Sequence, residues 1–151
     1  MRFRYSLQKI VDLKANETRQ AEWLLSDAIG QLAKAEHSLK ELERIRAMLE
    51  ERLIPSDGRP APVHELQEIQ QYMAHVDRLI RQKQEDVRRA QSNVQDKQRY
   101  LTDKMRDEKV WNRAKEQAYH RFLAGMRRKE QQELDEIALA RFERRAAAES
   151  R

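Results

Sequence analysis

The chain has 151 residues, of which 38% are charged and 39% hydrophobic, with three Gly, three Pro, no Cys and a net charge of +5. This balance excludes a disulfide framework or a thiolate metal site and leaves too few breakers for a sheet-rich fold; it matches long-helix, coiled-coil sequences. No apolar stretch of the ~18 residues needed to span a membrane is present and no signal-like segment follows the N-terminus, so a soluble, cytoplasmic protein is expected.

Residues 3–54 are predicted to form a first helix. Phe3, Leu7 and Ile10 open a stripe that continues through Lys14, Glu17, Ala21, Leu24 and Ala28. The next step is one residue longer than the repeat requires, and the stripe resumes at Leu32, Ala35, Leu39, Leu42, Arg46, Leu49 and Leu53. An extra residue predicts a stutter, a local unwinding of the supercoil. Gly30 lies inside it at a cost of about 1 kcal/mol against Ala, and the segment still reads as helix.

Residues 55–62 are the punctuation. Pro55 stops the first helix, Asp57 and Gly58 supply turn chemistry, and Pro62 suits the first turn of a second helix with Glu65 near its positive end.

The second helix is predicted from about 62 to about 145. Alternate steps of three and four through it give Leu66, Ile69, Met73, Val76, Ile80, Lys83, Val87, Ala90, Val94, Lys97 and Leu101. Only the two lysines are polar, and their stems can lie along a seam while the ammonium reaches water. A seven-residue repeat sustained this long faces a partner helix. With a short connection the first helix is that partner, so residues 1–151 are expected to be one all-α domain. Its architecture is two long helices in an antiparallel coiled-coil hairpin, the second helix longer and overhanging.

Setting residue 54 opposite residue 63 brings Phe3 near Ala114 and Leu7 near Trp111, and leaves the chain from about 118 onward without a neighbour. The seam decays there through Glu108, Trp111, Lys115, Ala118, Phe122, Gly125 and Lys129. The basic excess also falls in this last third.

Little in the sequence can carry catalysis. His37, His64, His75 and His120 have no partner one helical turn away, and no HExxH, phosphate-cradling glycine loop or GxSxG occurs. Asp135 and Glu136 are adjacent, and so point to different sides of a helix. No enzymatic activity, cofactor, metal or small-molecule substrate is expected. The basic clusters Arg127–Lys129 and Arg144–Arg145 lack an interleaved stacking platform or a following zipper, so no nucleic-acid partner is expected either.

Two apolar sets lie off the seam. Ile45 and Tyr72 fall at one height in the 54-to-63 pairing, beside Leu42, Leu49 and Val76, with Leu79 close by. They either widen the two-helix contact or form an exposed patch for a partner. At the other end Leu134, Ile137, Ala138 and Phe142 form a short stripe in the overhang, where the first helix cannot bury it.

The opening segment 3–14 (FRYSLQKIVDLK), followed by Glu17, Ala21, Leu24 and Leu25, resembles the start of the flagellar export protein FliJ family. The closing segment is similar to that family's C-terminal signature, with KVWNRAKE at 109–116, then Tyr119, Glu130, Gln131, LDEIA at 134–138 and Arg141. The resemblance implies a non-enzymatic component of the flagellar type III export apparatus, similar in fold to the stalk subunit of rotary ATPases. It implies three partners: the hexameric export ATPase, whose assembly and activity it would promote, the export gate membrane protein, and export chaperones. Phe3, Tyr5, Leu7, Trp111, Phe122, Leu134, Ile137 and Phe142 would then face the ATPase. Leu42, Ile45, Leu49, Tyr72, Val76 and Leu79 would face the gate or the chaperones. The implied location is cytoplasmic, at the inner face of the membrane through the apparatus. The alternatives are the analogous stalk of a virulence-type secretion system, a generic coiled-coil scaffold or a nucleic-acid-binding protein.

Overall fold

The computed structural model describes residues 2–54, 58 and 61–150. It consists of two long helices packed against each other, α1 (Gln8–Leu53) and the longer α2 (Val63–Glu149). By contacts the chain divides into two units, one of residues 18–104 and the other of residues 1–17 with 105–151.

The helix ends differ modestly from expectation. The chain before Gln8 is not helical: the Gln8 amide bonds back to the Tyr5 carbonyl at 3.2 Å, and Leu7 accepts the first helical bond, from Val11. At the other end α2 continues to Glu149, past the expected 145. Its start behaves as the sequence implies. The Pro62 carbonyl accepts the amides of Glu65 and Leu66 at 3.1 and 3.2 Å, and Glu65 places its charge in the first turn. Gly58 has a φ of 68°, the left-handed conformation that favours glycine in a turn. The stop at Pro55 and the turn residue Asp57 lie outside the described residues.

Within residues 18–104 the two helices meet along the seam that α2 announces. Every predicted position from Leu66 to Leu101 is half-buried or buried, and Val76 is 1% exposed. The α1 side is more regular than expected. Thr18, Ala21, Leu25, Ala28, Leu32, Ala35, Leu39, Leu42, Arg46, Leu49 and Leu53 face inward in unbroken alternation, so there is no stutter. The repeat runs through Leu25 rather than Leu24 and through Thr18 rather than Glu17. A polar residue conceals it in the sequence: the Thr18 hydroxyl donates to the Lys104 carbonyl at 3.4 Å, which makes burial of Thr18 affordable.

Gly30 consequently sits on the outer side of a continuous helix, exposed, with no atom within 4 Å of where a Cβ would lie. Gly30→Ala is therefore expected to stabilise the protein by about 0.5–1 kcal/mol in urea unfolding. A lower midpoint would mean that the glycine serves a bend.

The pairing is displaced from the expected one. Arg46 binds Asp77 across the helices, and Thr18 reaches Lys104. Each α1 residue therefore lies about five residues, or one and a half turns, further along α2 than the 54-to-63 match gives. In this register seam residues fall level with seam residues, Leu49 with Met73, Leu42 with Ile80 and Ala28 with Val94. Layer matching, not the end of the turn, sets the alignment. Arg46 fits in the seam because Asp77 first, and then Glu50, hold its charge, and both raise its pKa.

Candidate functional site: two protein-facing surfaces

In the unit built from residues 1–17 and 105–151, the non-helical start is fastened by aromatic rings. The Phe3 ring centroid lies 5.3 Å from that of Tyr119, edge-on, and 5.3 Å from that of Phe122. Tyr5 stacks behind Phe3 at 6.4 Å. Lys14 bridges to Asp107 at 2.7 Å, and Val11 is buried. Asp107 is the main reason the Lys14 pKa is raised.

Phe3 thus meets Tyr119 and Phe122 rather than Ala114, the same displacement toward the end of α2. Phe122, expected to be unburied, is instead half-covered in this cluster, and Tyr119 is a member that the seam periodicity misses. Edge-on aromatic pairs contribute about 0.5–1.5 kcal/mol beyond their burial. Phe3→Ala should therefore lower the unfolding free energy by about 1–2 kcal/mol, read from the urea midpoint. An unchanged midpoint would show that the N-terminal segment adds nothing.

Of the residues expected to face the ATPase, Phe3, Tyr5, Trp111 and Phe122 are half-buried, and Leu7 is exposed. Leu134, Ile137 and Phe142 stand apart from these. From Arg127 to Ser150 every residue is exposed, and Phe142 is 69% exposed. The free part of α2 therefore begins after Met126 rather than at about 118, and Leu139 adds a further exposed apolar side chain. Residues 127–150 carry six basic and six acidic groups, so the basic excess lies before this arm and not on it.

In the unit of residues 18–104 the set expected to face the gate or the chaperones divides. Leu49 and Val76 are buried seam residues and offer no surface. Tyr72 is exposed, with its ring 6.3 Å from that of His75. Ile45, level with Asp77 in the observed pairing, is not opposite Tyr72 as expected. Leu42 and Leu79 line an open groove of about 470 Å³ with His37, Glu41, Gln82 and Asp86 among its walls. Those polar residues flank the seam positions Leu42 and Lys83, which the sequence spacing already gives.

Among the described residues no group of three or more His, Asp or Glu side chains could hold a metal ion. Among them, too, no helix is long and apolar enough to cross a membrane.

Comparison with known proteins agrees with this layout. The family model described as "Flagellar FliJ protein" matches residues 3–147. The flagellar FliJ protein of Bacillus subtilis (strain 168) is 23% identical over 142 residues, covering 94% of this chain and 97% of that protein. No solved structure matches. The family match runs from the aromatic Phe3 latch almost to the end of the exposed arm, and on that basis the chain belongs to the flagellar FliJ protein family.

Proposed function

We propose that this protein is a non-catalytic stalk and adaptor of the flagellar protein-export apparatus, working in the cytoplasm at the inner face of the membrane. Its α2 arm engages a hexameric export ATPase and promotes that enzyme's assembly and hydrolysis. Tyr72, Ile45, Leu42 and Leu79 serve the export gate or export chaperones.

The observation that carries this reading is the exposure of Leu134, Ile137 and Phe142 on a stretch of helix that no other described residue covers. An isolated helix is marginal in water, and apolar residues at helical spacing on it are an unfinished interface. Family membership makes an export ATPase the natural complement. The latch of Phe3 on Tyr119 and Phe122 suits the same purpose, since it stiffens the helix pair where the arm departs.

The decisive measurement adds the purified chain to the cognate export ATPase and follows hydrolysis and hexamer formation. Both should rise with the full chain, and a chain ending at residue 126 should lose the effect. Unchanged hydrolysis and assembly with the full chain would remove the stalk reading.

A further inference from the structure

The arm from Arg127 to Glu149 has an internal symmetry that the stalk reading neither uses nor requires. On one helical face Leu134, Ile137, Ala138 and Phe142 lie together, with Leu134 and Phe142 each one turn from Ala138. The charges around them are arranged in opposite blocks. The arm opens on Arg127, Arg128 and Lys129; from there to Ala138 come Glu130, Glu133, Asp135 and Glu136 with no base among them, and after it come Arg141, Arg144 and Arg145 with Glu143 between them and Glu149 near the end. Gln131 donates to Asp135 at 3.0 Å, but among the described residues none of the three arginines forms an ion pair.

We propose that this arm pairs with the same arm of a second copy of the chain, antiparallel, about a two-fold axis at Ala138. An antiparallel match centred there sets Leu134 against Phe142 in both halves and Ala138 against itself. It places Glu130 of each copy beside Arg145 of the other, and Asp135 beside Arg141. Each acidic block meets a basic one, the self-complementarity that a two-fold interface demands. A parallel pairing would instead stack acid on acid and base on base. The arm's balanced charge, six basic against six acidic groups, also favours a second copy over a nucleic acid or an anionic membrane.

The interface is short, so the dimer is weak and reversible. It covers Leu134, Ile137 and Phe142, and self-pairing therefore excludes any other partner of the arm. Self-association holds the protein in a reserve form until a tighter partner is met.

Sedimentation equilibrium of the full chain over a concentration series tests this without reference to any ATPase. The wild type should show a dimer that Phe142→Asp weakens at least about tenfold, since two copies of a buried ring are lost. Glu130→Arg and Arg145→Glu should each weaken it, and an equimolar mixture of these two variants should restore it. Orientation is read by cross-linking, with no background because the chain has no cysteine. Ala138→Cys should form an intermolecular disulfide and Gln131→Cys should not, because antiparallel pairing holds its two copies about 21 Å apart. A chain monomeric up to about 1 mM, a dimer indifferent to Phe142→Asp, or ready self-cross-linking of the Gln131→Cys chain would each overturn the proposal.

Discussion

Val76→Asp is expected to abolish stable pairing of the helices, lowering the unfolding free energy by about 3–5 kcal/mol. Val76 is 1% exposed and level with Arg46 in the observed alignment. An aspartate there would give up the buried methyls and set a charge against apolar neighbours. Arg46 could offer one partner, but it already binds Asp77 and Glu50. Circular dichroism should show loss of helix at temperatures where the wild type is folded. A two-helix pairing has few other buried side chains to absorb the loss. A Val76 that served the gate or the chaperones from an open surface would give near-wild-type stability, so the thermal midpoint separates the two readings.

The second large effect is functional. The triple variant Leu134→Asp, Ile137→Asp, Phe142→Asp should keep the wild-type thermal midpoint while stimulation of the export ATPase, and with it swimming motility, falls at least about tenfold. The three side chains are 60%, 51% and 69% exposed, so their replacement removes little packing among the described residues. Aspartates on the arm add charge to a surface that must be desolvated on binding. Equal stimulation by variant and wild type would transfer the ATPase contact to the half-buried set around Phe3 and Trp111. A drop in thermal stability would show that the arm is tied to the rest of the chain.

Much of the fold was readable because a coiled-coil seam is written at a fixed interval. The positions from Leu66 to Leu101 alternate apolar residues with two long-stemmed lysines, and all lie inward as expected. On α1 the same logic misled at Thr18, whose hydroxyl hides a seam position, and at Leu24 and Leu25, two leucines that fit the spacing equally well. Choosing Leu24 forced a stutter; the structure uses Leu25. Alignment of the two helices was not legible from the turn, because an eight-residue connection leaves the chain free to slide by more than a turn. It would have followed from asking which offset sets seam against seam, because the positions from Ala28 to Leu53 are the same in the expected and the observed frame.

The surfaces were legible in part for the same reason. Leu134, Ile137 and Phe142 could be assigned to an unpaired stretch from length alone, and they are exposed. Phe122 could not, because its cover comes from Phe3, a residue outside any helix, whose ring also meets the still exposed Tyr119. Spacing places Leu49 and Val76 on the seam; only the family resemblance puts them in the gate- or chaperone-facing set, and both are buried.

The exposed arm also bears on how long the intact chain survives. It begins with Arg127, Arg128 and Lys129 and carries Arg141, Arg144 and Arg145 further on, each an exposed tryptic site. Cleavage needs only a local opening there, whereas the same enzyme must wait for wider separation of the helices to cut between Thr18 and Lys104. Limited digestion should accordingly trim the protein first at residues 127–129 and leave a long-lived fragment ending there. Whatever sheathes the arm becomes its guardian against proteolysis, so the supply of full-length chain is tied to the supply of its binding partner.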